Sequence, residues 1–155
     1  MRARLRSRTG FSLVELITVV IIIGLLAGFG FPRIRDLGVR EAVRGARRAM
    51  TTHLARARAT AVQRGCSAVL HLNDDAGAVW LTACPIPGAG AATLDTVGTV
   101  DNLQERFGVA FTADADSVLY TPQGLAFAAS PIALTFTRGE YAASLQVTPA
   151  GRAVW

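Results

Sequence analysis

The chain has 155 residues, 51% hydrophobic and 17% charged, which excludes a disordered polymer and leaves room for one modest domain plus a membrane segment. Residues 11–64 hold nine arginines against Glu15, Asp36 and Glu41, a net of +6, whereas residues 65–155 hold three arginines against eight acids, a net of −5. A basic leader and helix ahead of an acidic half is not the profile of a uniformly basic nucleic-acid binder.

The first segment carries Arg2, Arg4, Arg6 and Arg8 ahead of an apolar run from Leu16 to Phe31, sixteen residues with Thr18 as the polar one. Counted from Phe11 the run is twenty-one residues, or about 32 Å as a helix, enough to cross a bilayer core. A cleaved secretory signal would have a shorter apolar core and a small-x-small cleavage site, and no good one follows. The arginine-rich start argues against a buried core helix. Four arginines precede the run and six follow, from Arg33 to Arg48, so the positive-inside count alone does not orient it. Gly24, Gly28 and Gly30 weaken its end by roughly 1 kcal/mol each relative to Ala, and Pro32 removes a backbone donor and kinks a helix.

Glu15 is the costly residue. An acid at membrane depth costs about 2.5–3.5 kcal/mol on insertion scales, so it usually has a partner. A cut between Gly10 and Phe11 would create an α-amine four residues before Glu15, on the same helical face. The carboxylate also sits where a helix dipole is positive.

The string Gly10-Phe11-Ser12-Leu13-Val14-Glu15-Leu16, between a basic leader and a long apolar run, resembles the type III signal of type IV pilins and pseudopilins. The resemblance implies that a prepilin peptidase cuts after Gly10 and methylates Phe11. It implies that Glu15 pairs with the terminal amine of an adjoining subunit during assembly, and that Pro32 is the kink-forming proline. It further implies a single-pass protein of the bacterial inner membrane, N-terminus cytoplasmic and head periplasmic, held in lipid before it joins other pilins or pseudopilins in a filament. The expected divisions are a leader at 1–10, a transmembrane and assembly helix at 11–32, an amphipathic helix at 33–65 and a β-rich head at 66–155.

Within 33–65, Val43, Ala46, Met50, Leu54, Ala57 and Ala61 are spaced 3, 4, 4, 3 and 4 apart, a continuous helical stripe. Arg40, Arg44, Arg47, Arg48 and Arg58 fall mostly off it and read as a solvated face, with lipid head groups or acidic neighbours as the alternative contact. Gly65 supplies the stop.

Residues 66–84 read as a hairpin turning through Asn73-Asp74-Asp75-Ala76-Gly77. Centring the turn at Asp75 pairs Leu72 with Ala78, Leu70 with Trp80, Ala68 with Thr82 and Cys66 with Cys84. Opposed positions come near disulfide range, so these two cysteines are expected to bond in an oxidising compartment, the alternative being two buried thiols. Residues 85–102 read as a Pro/Gly/Ala-rich loop. Strands are expected at Val109–Thr112, Ser117–Tyr120, Ile132–Thr137, Ala142–Thr148 and Arg152–Trp155. The fold class is therefore α+β: a long N-terminal helix packed on an antiparallel sheet head.

Three further segments narrow the resemblance: Ala57 to Gly65, Tyr120-Thr121-Pro122-Gln123-Gly124, and Thr148-Pro149-Ala150-Gly151-Arg152. Their order resembles the H-type minor pseudopilins of type II secretion and related minor pilins. This implies a structural and assembly subunit of a secretion pseudopilus, the alternative being a minor pilin of a type IV pilus linked to DNA uptake. Some pilus-associated relatives bind DNA near a Gly-Arg-x-Arg; here Gly151-Arg152-Ala153-Val154 lacks the second arginine. With the acidic balance of the head, DNA is not expected as a partner, and Arg152 is the residue through which it would act. No catalytic set is evident around His53 or His71, so no enzyme and no cofactor is expected. Two cysteines and two distant histidines do not make a zinc site, and Asp74-Asp75 and Asp114/Asp116 read as turn solvation rather than calcium ligands.

Overall fold

The computed structural model describes residues 12–85, 94–128 and 130–155, with the side chains of Ala27 and residues 29–35 outside the description. The leader, the Gly10–Phe11 junction and the Pro32 side chain thus lie outside the described residues. The described part divides between Leu37 and Gly38 into two units.

The first unit holds the start of helix α1 (Leu13–Arg64), which has Glu15 in its first turn. The Ser12 carbonyl accepts a hydrogen bond from Leu16 N at 3.1 Å. The stretches expected separately at 11–32 and 33–65 are one helix, which stays helical through Pro32. Large apolar side chains from Leu13 to Leu26 are exposed. Among the described residues no helix is long and apolar enough to cross a membrane; Ala27 and residues 29–31 of the expected span are among the side chains not described.

In the second unit, α1 buries Val43, Ala46, Met50, Leu54, Ala57 and Ala61, the whole stripe read from the 3,4 spacing. The helix ends where Gly65 adopts φ +64° and Cys66 N donates to Ala61 O at 3.3 Å. This is the left-handed C-terminal cap that glycine allows at least cost.

Strands β1 (Ala68–Asn73) and β2 (Ala78–Ala83) form the hairpin. The register differs by one residue from the expected one: Leu72 faces Val79, Leu70 faces Leu81 and Ala68 faces Ala83. The reason is the period of two. Val79, Leu81 and Ala83 are buried beside Ala68, Leu70 and Leu72, whereas a turn centred on Asp75 would have placed Trp80 and Thr82 opposite that apolar set. The turn instead spans Asp74 to Gly77. Asn73 Oδ1 accepts from Ala76 N at 2.9 Å, and Gly77, at φ +65°, donates to Asp74 O at 3.2 Å.

The expected loop at 85–102 is only partly a loop. Residues 86–93 lie outside the described residues, but β3 (Asp95–Thr96) and β4 (Asp101–Asn102) both pair with β2. A short helix not expected from the sequence follows, α2 (Leu103–Phe107). Asn102 Oδ1 caps it by accepting from Glu105 N, and Gly108 ends it at φ 62°.

The remaining strands are β5 (Ala110–Ala113), β6 (Ser117–Tyr120), β7 (Ile132–Arg138), β8 (Tyr141–Val147) and β9 (Ala153–Val154), close to their expected bounds. They complete two antiparallel sheets: β3-β2-β1-β6, with β4 also on β2, and β5-β7-β8-β9. Alternate residues of both sheets, including Leu70, Val79, Val118, Phe111, Leu134, Phe136 and Leu145, meet the α1 stripe in one core. The Phe111 and Phe136 rings are tilted at 6.1 Å within it.

Candidate functional site

The N-terminal candidates separate. Glu15 is exposed in the first turn of α1, the third residue after Ser12. That is the position where a carboxylate favours the N-terminal dipole. Gly10 and Phe11 lie outside the described residues.

Cys66 and Cys84 are joined as a disulfide with Cα atoms 6.3 Å apart. The observed hairpin register makes them diagonal rather than directly opposed, just beyond the ends of β1 and β2. Arg64 donates to the Cys84 carbonyl and lies 3.8 Å from Asp95. The disulfide, the helix exit and the start of β3 therefore share one corner.

A row of α1 side chains holds the segment around β3 and β4. His53 Nε2 and Asp101 Oδ2 are 2.9 Å apart, both half-buried, and Arg106 of α2 reaches the same carboxylate oxygen at 3.0 Å. Gly98, at φ +90°, admits the Arg56 guanidinium so closely that a methyl group there would lie 2.7 Å from Nη2. His53 and Arg56 thus serve packing, three residues apart on one helix face. His71 stacks on Trp80 at 4.9 Å and shares a 2.9 Å hydrogen bond with Thr82 Oγ1; burial pulls its pKa down. The two histidines lie in separate environments. Among the described residues no cluster of three His, Cys, Asp or Glu side chains could hold a metal.

The arginines off the helix stripe are exposed at 40, 44, 48 and 58. Two of the row cover aromatic rings: Arg40 lies 5.7 Å from Tyr141 and Arg47 5.4 Å from Trp155. Such contacts contribute about 0.5–1 kcal/mol at exposed sites. Arg44 pairs with Glu41 at 2.8 Å.

A groove of about 540 Å³ runs between α1 and β9, its helix wall made of small residues such as Ala55 and Ala59, with Arg58 and Arg152 as its charged lining and Trp155 at one end. A shallower extension follows Arg48 and Thr52. Near the floor, Gly151 has φ +73°, and a methyl group there would meet the Gly124 carbonyl at 2.6 Å and Tyr120 Cε1 at 3.1 Å. Tyr120 is fully buried and its hydroxyl has no hydrogen-bond partner among the described residues. Burial pushes this phenol up to about 12, with the nearby Arg58 charge acting the other way. The sequence signal for the groove was the Thr148–Arg152 turn; the approach of that turn to α1 is a tertiary fact.

A long helix laid on two small antiparallel sheets is the pilin-like fold. The sequence model of the family described as Type II transport protein GspH matches residues 46–151, and the chain belongs to that family, within the type IV pilin and pseudopilin superfamily of structural subunits. The minor pseudopilin EpsH of the Type 2 Secretion System of Vibrio cholerae is 12% identical with a TM-score of 0.56, over 74% of this chain and 94% of that one. The type IV minor pilin FimU of Pseudomonas aeruginosa is 15% identical with a TM-score of 0.54, over 74% of this chain and 88% of that one. At these identities the two likenesses concern the fold. No curated sequence matches.

Proposed function

We propose that the chain is a minor pseudopilin, an assembly subunit of a type II secretion filament. The observation that carries this reading is the GspH family match over residues 46–151, which spans the buried α1 face from Ala46 onward, strands β1 to β8 and the turn before Arg152. Ahead of it stands the signal-like string at Gly10 to Leu16. On this reading a prepilin peptidase cuts between Gly10 and Phe11 and methylates Phe11. Glu15 then neutralises the new amine of an adjoining subunit, and α1 waits in the inner membrane with the head in the periplasm. Pro32 supplies a bend point where the helix carries no backbone donor. The Cys66–Cys84 disulfide suits an oxidising compartment. Role and partners follow from chain contacts, with no catalytic step.

The test is cross-linking in the source cells followed by recovery of the chain under denaturing conditions. Secretion pseudopilins among the linked proteins support the reading; pilus pilins in their place would move the chain to a type IV pilus. Mass spectrometry of the recovered chain reads processing directly. The expected mass is that of residues 11–155 plus one methyl group, and an intact Met1 start would refute the processing.

A further inference from the structure

The groove between α1 and β9 has three properties that together describe a ligand. First, its charged side chains are of one sign. Arg58 and Arg152 line it, Arg48 lines its extension, and among the described residues no acidic side chain lines either part. This stands out because residues 65–155 carry a net charge of −5. The other two arginines of that half are engaged, Arg106 with Asp101 and Arg138 with the Phe107 carbonyl at 2.8 Å. Among the described residues neither Arg58 nor Arg152 forms an ion pair, so two cations stand uncommitted at one concavity.

Second, the groove runs along a sheet edge. β9 pairs with β8 through Gln146↔Val154 and Val147↔Ala153 and is the last strand of its sheet. Its outer backbone groups are a template for one more strand. A two-residue edge supplies few hydrogen bonds, so side-chain charge and apolar contact must add to them. Third, apolar surface is in place for that contact: Val62 is 53% and Trp155 72% exposed, beside the small side chains of Ala55 and Ala59. Under Gly151 and Arg58 the buried Tyr120 hydroxyl has no hydrogen-bond partner among the described residues.

We infer that this groove takes an extended acidic segment of another polypeptide, laid beside β9 with its carboxylates toward Arg58 and Arg152 and its apolar side chains against Val62 and Trp155. A nucleic-acid strand fits less well. It would want a continuous row of cations along its backbone, and it gains nothing from a free strand edge. The inference does not depend on which filament the chain joins.

The experiment uses the full-length chain, disulfide intact, in detergent micelles. The probe is a dye-labelled, end-blocked octapeptide alternating valine and glutamate, followed by fluorescence anisotropy. Saturable binding is expected. The double variant Arg58→Glu/Arg152→Glu should weaken it at least tenfold, while Arg40→Glu/Arg44→Glu, of equal charge change but away from the groove, should leave it within twofold. N-methylation of alternate peptide amides, which keeps the carboxylates but removes strand hydrogen bonds, should also weaken it at least tenfold. Circular dichroism and disulfide mapping establish that each variant is folded. Several results overturn the inference: no binding to the folded wild type, equal loss in both double variants, or undiminished binding of the N-methylated peptide. Displacement of the peptide by a thymidine oligonucleotide that binds more tightly would give the groove to nucleic acid instead. Sedimentation showing self-association that Arg152→Glu abolishes would give it to a second copy of this chain.

Discussion

Tyr120 shows how much one buried atom can say. Its ring fills the end of β6 beneath Gly151, and its hydroxyl is shielded without a partner among the described residues. An unsatisfied buried hydroxyl costs about 1–3 kcal/mol, so Tyr120→Phe is expected to leave the chain as stable at pH 7 or more stable by about 1 kcal/mol. The pH dependence follows from the raised phenol. Below about pH 10 both folded and unfolded chains keep the proton. As the pH rises past that point the unfolded chain ionises first, because the folded phenol holds its proton to about 12. Stability is therefore lost on the way up, by at most about 1.4 kcal/mol per pH unit from this group. Urea unfolding of the full chain at pH 7, 10 and 11 measures it. A decline no steeper in wild type than in Tyr120→Phe would show that the phenol is not protected as described. Nothing in the local sequence marks Tyr120 as buried and unpartnered. That property arises where β6, the turn at Gly151 and Arg58 of α1 meet.

At the scale of elements, what was legible depended on length. The six-residue α1 stripe repeats over several turns, and each of its positions is buried. Met50→Ala, which removes a fully buried side chain from that face, should cost about 2–5 kcal/mol in thermal or urea unfolding. Ala59→Ser, on the exposed side of the same helix, should stay within about 0.5 kcal/mol. Equal effects at the two positions would contradict the packing. The β3 and β4 strands have two residues each and carry no readable period. α2 did carry signals, Asn102 three residues before Glu105 and then Gly108, but five residues are too few for an amphipathic pattern.

The sequence predicts the hairpin and its cysteine pair, yet one residue out of register. The turn residues Asn73 to Gly77 fit more than one loop length, and burial of Val79 and Leu81 decided between them. The disulfide itself closes a sequence separation of 18, which on the chain-entropy account is worth about 3 kcal/mol. The double variant Cys66→Ser/Cys84→Ser should lower stability by about 2–4 kcal/mol, and wild type treated with a reductant should fall to the same level. If reduction leaves the melting temperature of wild type unchanged, the disulfide does not constrain the unfolded chain.

For the whole molecule, the sequence divides its labour by charge and hydropathy. A net +6 and an apolar run occupy residues 11–64, and a net −5 occupies the half that builds the sheets. The structure places a second division between Leu37 and Gly38, so that the part of α1 belonging to the core begins beyond the apolar run. Within the first unit the large apolar side chains from Leu13 to Leu26 are exposed, and on the proposed reading they meet lipid or neighbouring subunits. Glu15 is the residue that separates these two fates. As a membrane residue it is a burden of about 2.5–3.5 kcal/mol, and replacing it with valine should make insertion easier. As an assembly residue it answers an amine that exists only after the cut at Gly10, so the same replacement should weaken filament entry. Glu15→Val is therefore expected to raise or preserve the amount of chain in the membrane fraction while lowering its share in sheared filaments at least tenfold. Quantitative immunoblotting of the two fractions gives both numbers from one culture. Loss from both fractions would mean that the variant is degraded, whereas a membrane-fraction chain whose mass still includes residues 1–10 would mean that it is not processed. Normal filament entry would remove the role proposed for Glu15 and leave its exposed place in the first turn of α1 as a helix-dipole contact alone.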